Sequence, residues 1–480
     1  MNARETEWAT HIDSPAIEAG FAALRTRSHG LARTSAAERA DKIRAMVAAV
    51  LANKQRFYGA AFEELHAGDL DVAAQLVMLK SEADHAAKHL GRWMRPHRVR
   101  NSAATLGKKC YILYEPKGVV LNLSTWNAPI CIGLVPAIAS IAAGNSFALK
   151  PSELAPHSAA LLREVIATVF AADEFAVFEG AAEVAQALLT QPFDHIYYTG
   201  GQRVGRLVMR AAAENFAGVT LEMGGKNPVI VDASAAVKNA AKKIAWGRIA
   251  NAGQICVAPD YALVHRSVLD PFLSAVTEAI HSMYNPNGKG FEHSAELLRI
   301  VNDQHFERVQ RLLDDALAKG ARIVCGGRTR AQDRFVEPTV LTGIHDDMAL
   351  MQEEIFAPIL PVLPFDERSQ AIDIVRARTK PLSLYIYAKD RAAIDFFLAS
   401  TSAGSTVVNH NLIQSGTNPR LPFGGVNHSG MGRIGGERGF IEMSNARSVV
   451  EQPLGFLDTT FNLPPYSKLY RKLIERAVKS

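Results

Sequence analysis

The sequence predicts an α/β protein, a doubly wound parallel sheet followed by a second α/β region, and three observations carry this. From Gly118 onward, short apolar runs alternate with segments of helical periodicity. Gly-rich turns separate them, as in Thr199-Gly200-Gly201. At 480 residues the chain is also long enough for more than one core.

Taken in order, residues 15–95 are rich in Ala, Leu, Glu, Lys and Arg. Ile43, Met46, Val47 and Val50 recur at helical spacing, so this part reads as an exposed helical layer. Residues 119–123, 146–149, 175–178 and 196–198 read as strands, and 130–143, 158–170, 184–189 and 203–214 as helices. Repeated βα units imply a parallel sheet that binds ligands at the carboxyl ends of its strands. Beyond Glu222, residues 229–231, 261–264 and 360–363 are strands of the second region. Residues 109–114 and 449–454 are strand candidates outside both alternations. No internal repeat or low-complexity linker is present.

Hydrophobic residues make up 48% and charged residues 21%, an ordinary globular composition without a disorder signature. The formal charge is only +5, with Lys and Arg scattered among Asp and Glu, so nucleic acid is not an expected partner. Cys110, Cys131, Cys256 and Cys325 form no CxxC and no zinc or disulfide spacing, which points to a reducing compartment and no metal. Residues 1–8 lack an apolar signal core, and no stretch approaches the roughly 18 apolar residues of a membrane span. A cytoplasmic protein with no integral membrane segment is expected.

The chemistry concentrates at Asn251-Ala252-Gly253-Gln254-Ile255-Cys256 and at Leu221-Glu222-Met223-Gly224-Gly225-Lys226-Asn227-Pro228. A thiol nucleophile and a carboxylate base are the groups needed to trap an aldehyde and hydrolyse the resulting thioester. Upstream, Trp126-Asn127 offers an amide donor for the developing oxyanion. With these motifs the chain resembles the aldehyde dehydrogenase superfamily from about Leu65 to its C-terminus. The resemblance implies Cys256 as nucleophile beside a mobile Gly-Gln turn, Glu222 as the deacylating base and Asn127 with the Cys256 amide as the oxyanion site. The other three cysteines read as core thiols. Thr125 and Ala128 replace the residues that usually flank the Trp-Asn pair.

Hydride removal calls for a nicotinamide dinucleotide. Lys150 and Glu153, in Lys150-Pro151-Ser152-Glu153, are placed to meet its adenosine ribose. A carboxylate there repels a 2′-phosphate, so NAD is favoured with NADP possible. Gly200 and Gly205 lie in a strand-to-helix turn whose amides can approach the pyrophosphate. Glu354 and Phe356 resemble the family's Glu-x-Phe segment at the nicotinamide ribose and ring, and Trp126 belongs with the cofactor residues. A literal GxGxxG at Gly430–Gly435 lacks a surrounding βαβ unit and reads as part of the C-terminal loop instead.

The resemblance further assigns residues 1–105 and 116–222 to the dinucleotide-binding domain and 223–425 to the catalytic domain. Residues 106–115 with 445–465 become a small β oligomerisation element, leaving 466–480 as a tail. Class 3 enzymes are the nearest subfamily, on residues 86–94, the Lys-Pro-Ser-Glu run and Pro464-Pro465-Tyr466, and imply a homodimer. A polar loop carrying His410, Gln414, Asn418 and Arg420 suits a carboxylate-bearing semialdehyde, whereas Phe440 suits an aromatic or medium-chain aldehyde, which is the leading expectation. A CoA-acylating enzyme and a non-catalytic binding protein are the remaining alternatives, against which Glu222 and the intact Asn127, Glu222 and Cys256 set stand respectively. In the basic tail, Leu469, Leu473 and Ala477 form a narrow stripe, so packing on its own domain or ending in solvent is expected over a membrane-surface role.

Overall fold

The computed structural model describes residues 14–414, 418–454 and 463–479. Four helices, Ser14–Leu31, Ala36–Ala52, Lys54–Leu65 and Asp69–Trp93, open the chain. Ser35 and Glu38 close a reciprocal capping box that fixes the start of the second. This layer is not merely an exposed one: Ile43, Met46, Val47 and Val50 are all buried in the main core.

The first sheet has six strands, in the order Gly430–Met431, Gly218–Met223, His195–Gly200, Val119–Leu123, Ser146–Lys150 and Phe175–Val177. All pairs are parallel except the first. Both faces are covered, so every residue of Val119–Leu123 and Ser146–Lys150 is buried, which is why these strands are continuous apolar runs instead of alternating ones. The helix Pro129–Ala143 is apolar all round and buried. Proline sits at its first turn, and Gly144, at φ 92°, ends it in the left-handed region.

The second sheet has seven strands, in the order Arg322–Cys325, Thr339–Thr342, Ile359–Phe365, Tyr261–His265, Pro228–Val231, Ser383–Tyr387 and Ser405–Val408. Only the edge strand Arg322–Cys325 runs antiparallel. A third, antiparallel sheet joins His97–Arg98, Lys109–Pro116 and Ser444–Glu451. Its last strand begins five residues before the position that apolar content alone suggests, since pairing with Lys109–Pro116 continues through Asn445, Ala446 and Arg447. Residues 455–462 of the proposed oligomerisation element lie outside the described residues. No helix among the described residues is long and apolar enough to cross a membrane.

The glycines of the literal GxGxxG serve packing. Gly430 pairs with Glu222 across the antiparallel edge, and a Cβ on it would stand 2.1 Å from the Leu221 carbonyl. The C-terminal chain can therefore lie directly against the strand that carries Glu222.

Candidate active site

The site forms where the carboxyl ends of the first sheet meet the amino ends of the second. Trp126-Asn127, Lys150, Gly200 and Glu222 occupy or follow the carboxyl ends of their strands, as doubly wound sheets dictate. Cys256 and Glu354 come instead just before Tyr261–His265 and Ile359–Phe365. Cys256 is thus delivered by the amino edge of the second sheet, an arrangement that the carboxyl-end rule does not predict.

The loop bearing Cys256 is held by hydrogen bonds from both sides. Asn251, Ala252 and Gly253 have φ of 51°, 50° and 74°. Gly253 is needed both for that conformation and for space, because a Cβ would meet the Ala357 carbonyl at 2.4 Å. Gln254 is buried. Its amide donates to the Asn251 and Arg299 carbonyls at 3.1 and 3.0 Å and accepts from the Val301 N–H at 3.0 Å. Asn227 donates to the Cys256 and Ala258 carbonyls at 2.7 and 3.0 Å and accepts from the Ser383 N–H at 2.9 Å. Behind the loop, buried Asp260 pairs with Lys226 and Arg248 and accepts from the Ile355 N–H at 3.0 Å. Arg248 also donates to the Ala357 and Pro259 carbonyls.

Asn227, Gln254, Arg248 and Asp260 escape assignment from sequence. The available signal was charge in otherwise apolar surroundings: Lys226 and Asp260 both sit at the entrance of a buried strand.

Asn127 has a fixed amide orientation, because its carbonyl accepts from the Thr125 hydroxyl at 2.7 Å. Its NH2 donates to the Gln254 carbonyl at 2.9 Å, which uses one of its two hydrogens and places the group beside the Cys256 turn. Glu222 is buried and neither carboxyl oxygen has a regular hydrogen-bond partner. Burial pushes its pKa up to about 7, opposed by the neighbouring Cys256 thiol, with which it interacts without the alignment of a regular hydrogen bond. Burial, followed by the Glu222 and Glu354 charges, pushes the thiol itself well above its ordinary range. A buried carboxyl with no regular partner beside the thiol has oxygens free to accept a proton, as a general base requires.

Of the two adjacent glutamates, Glu354 turns inward over Gly224-Gly225, where a Cβ on Gly224 would collide with its carboxyl at 2.2 Å. Burial, with Asp260 nearby, raises its pKa to about 8. Glu353 is exposed and faces Arg308 at 3.6 Å. Phe356, at φ 50°, sets its ring edge-on to Trp126 at 5.8 Å, and His305 contacts the same indole at 5.8 Å.

Lys150 is buried and bonds the half-exposed Glu153 at 2.6 Å. The helix Gln202–Glu214 begins after Gly201 with no side-chain cap, and a Cβ on Gly201 would meet nothing within 4 Å. These features fit a dinucleotide: an uncapped helix N-terminus beside open space for a pyrophosphate, and a lysine–glutamate pair at the neighbouring strand end. Gly205 contributes by packing, since a Cβ would lie 2.6 Å from the Met223 sulfur; it does not face the ligand space.

The substrate-pocket candidates Phe440, His410 and Arg420 fall in three different surroundings. Phe440 is buried against Trp93 and Tyr114, at 5.8 Å from each ring, because its short helix packs into the core. The loop's buried amides are spent on the scaffold: Asn411 on Tyr387 and the Lys243 carbonyl, Gln414 on Ser383 and Tyr385. His410 contacts Trp246 and its own turn, while Arg420 is exposed, with its N–H on the Asn418 side chain. Residues 415–417 of this loop lie outside the described residues.

A doubly wound parallel sheet whose strand ends bring a carboxyl, an amide and a cysteine together at the edge of a second sheet is the arrangement of a dehydrogenase. The chain belongs to the aldehyde dehydrogenase family, whose sequence profile matches residues 3–449. It is an NAD(P)-dependent enzyme. A protein of Caulobacter vibrioides named "Probable coniferyl aldehyde dehydrogenase" is 39% identical, over 85% of this chain and 84% of that one. The "Aldehyde dehydrogenase, dimeric NADP-preferring" of Canis lupus familiaris is 34% identical, over 87% and 90%. Among solved structures, "Substrate bound state of Staphylococcus Aureus AldH" superposes with a TM-score of 0.90 at 35% identity, covering 98% of this chain and all of that one.

Proposed function

We propose that the chain oxidises an apolar aldehyde, aromatic or medium-chain aliphatic, to its carboxylic acid through a thioester on Cys256. The observation that carries this is the buried, hydrogen-bond-orphaned Glu222 carboxyl against the Cys256 thiol. Cys256 attacks the carbonyl carbon, and the free N–H of Asn127 with the Cys256 amide receives the charge on oxygen. A bound dinucleotide would supply the hydride acceptor. Glu222 then activates the water that cleaves the thioester, a step that a CoA-acylating enzyme would leave to its thiol substrate.

Lys150 and Glu153 would hold the adenosine ribose, Gly200 and the helix start after Gly201 the pyrophosphate, Glu354 the nicotinamide ribose, and Trp126 with Phe356 the ring. The Glu153 carboxylate opposes a 2′-phosphate, so NAD is the preferred cofactor. Replacing Glu153 with Thr should raise the NADP-to-NAD ratio of kcat/KM by about tenfold, since one removed repulsion is of order 1.4 kcal/mol. An unchanged ratio in steady-state kinetics places the discrimination elsewhere. A homodimer, through the sheet of Lys109–Pro116 and Ser444–Glu451, is the assembly that this fold and the dimeric relative favour.

An apolar substrate is preferred because the loop's buried polar groups are already paired. Arg420→Ala should alter kcat/KM for benzaldehyde, hexanal and succinic semialdehyde equally, within about twofold. A selective loss on the semialdehyde would establish an anion site and overturn the preference.

A further inference from the structure

Thr125 is half-buried and lies just beyond the strand Val119–Leu123, one residue before the Trp126-Asn127 pair. Its hydroxyl donates to the Asn127 side-chain carbonyl at 2.7 Å, and the Asn127 NH2 donates onward to the Gln254 main-chain carbonyl at 2.9 Å. A continuous hydrogen-bond chain therefore runs from the first sheet to the loop bearing Cys256. Its polarity is fixed, because turning the Asn127 amide over would set two carbonyl oxygens against each other at Gln254 and release the Thr125 proton.

The backbone here is held by another residue. Asn251 donates to the Asn127 main-chain carbonyl at 3.0 Å and to the Gln254 carbonyl at 3.1 Å. Among the described residues the Thr125 hydroxyl has no partner besides the Asn127 side chain, so its influence falls on that amide alone. It anchors the amide oxygen, which keeps the second N–H in one direction while Gln254 engages the first. It also draws charge from that oxygen, and hydrogen bonds in a chain strengthen one another, so the N–H becomes a stronger donor. Charge grows on an aldehyde oxygen as sulfur bonds the carbonyl carbon. A donor oriented and polarised beforehand stabilises that charge without reorganising.

We propose that Thr125 is a positioning residue for aldehyde oxidation, its hydroxyl setting the direction and donor strength of the Asn127 amide. The role rests on Asn127 being the oxyanion donor. Thr125 acts through that side chain and not on the substrate.

Pre-steady-state bursts of NADH with benzaldehyde test this in Thr125→Val, Thr125→Ser, Asn127→Ala and the T125V/N127A double variant. T125V keeps the side chain's shape and removes the hydroxyl. It should lower the burst rate constant at saturating aldehyde by about tenfold, the scale of one hydrogen bond. The aldehyde KM and the NAD Kd should move by less than about twofold, since the donor is called on only as charge develops. T125S restores the hydroxyl and should return the rate to within about threefold of wild type. N127A should lose about a hundredfold or more. Adding T125V to it should cost less than about a further twofold, because no amide remains to be oriented.

A wild-type burst in T125V beside an impaired N127A overturns the proposal, as does a T125S variant no faster than T125V. A further tenfold loss in the double variant also overturns it, by making Thr125 a structural residue independent of Asn127. A full burst in N127A removes Asn127 from the oxyanion site, and the role of Thr125 falls with that assignment.

Discussion

Replacing Cys256 with Ala should lower kcat for aldehyde oxidation by at least about a thousandfold, the scale on which removal of a covalent nucleophile is felt. Dinucleotide affinity should be unchanged, because the groups placed at the cofactor lie on other segments: Lys150, Glu153, the helix start after Gly201, and Glu354. The loop should survive the exchange. Its geometry is held by Asn227 on the Cys256 carbonyl and by Gln254, neither of which bonds the sulfur. Since burial and two carboxyls keep the thiol protonated at neutral pH, alkylation of Cys256 in the free enzyme should accelerate steadily as pH rises. Turnover of the Ala variant within tenfold of wild type, measured by NADH absorbance with benzaldehyde, removes Cys256 from the nucleophile's role.

Glu222→Gln should separate the two halves of the reaction. A single-turnover burst of NADH survives, while the steady state falls by at least about a hundredfold, the general-base contribution. Wild-type kcat should rise with pH through about 7 where deacylation limits, as the carboxyl loses its proton, and the Gln variant should lose that limb. Equal loss of burst and steady state would mean that Glu222 is not chiefly the deacylation base.

The same variant has a stability signature. The folded carboxyl holds its proton to about pH 7 against an ordinary value of 4.5, so its contribution is fully present below pH 4.5 and lost as pH rises through about 7. The loss is roughly 3 kcal/mol at 1.36 kcal/mol per pKa unit. Glu222→Gln should therefore resist denaturant better than wild type at pH 8 and equally at pH 4.5. A variant that is less stable at pH 8 would contradict the orphaned carboxyl.

Residue types and local spacing were enough for four strands of the first sheet, Val119–Leu123, Ser146–Lys150, Phe175–Val177 and His195–Gly200, but not for its edge strand Gly430–Met431, which read as loop. They were also enough for the family, which Asn251-Ala252-Gly253-Gln254-Ile255-Cys256 and Leu221-Glu222-Met223-Gly224-Gly225 carry in their local order. Thr339–Thr342, Ser383–Tyr387 and Ser405–Val408 were not legible, being short and lacking a distinctive flank.

Packing between distant segments decided the rest. It brought the carboxyl ends of one sheet to the amino ends of another, and so set Glu222 against Cys256. It bonded Gln414 to Tyr385 and packed Phe440 against Trp93. It left Lys468–Lys479 uncovered. The physical reason is one of range: helix and strand periodicity determine which side chains share a face, but whether a polar group on that face meets substrate, solvent or a buried carbonyl depends on partners hundreds of residues away.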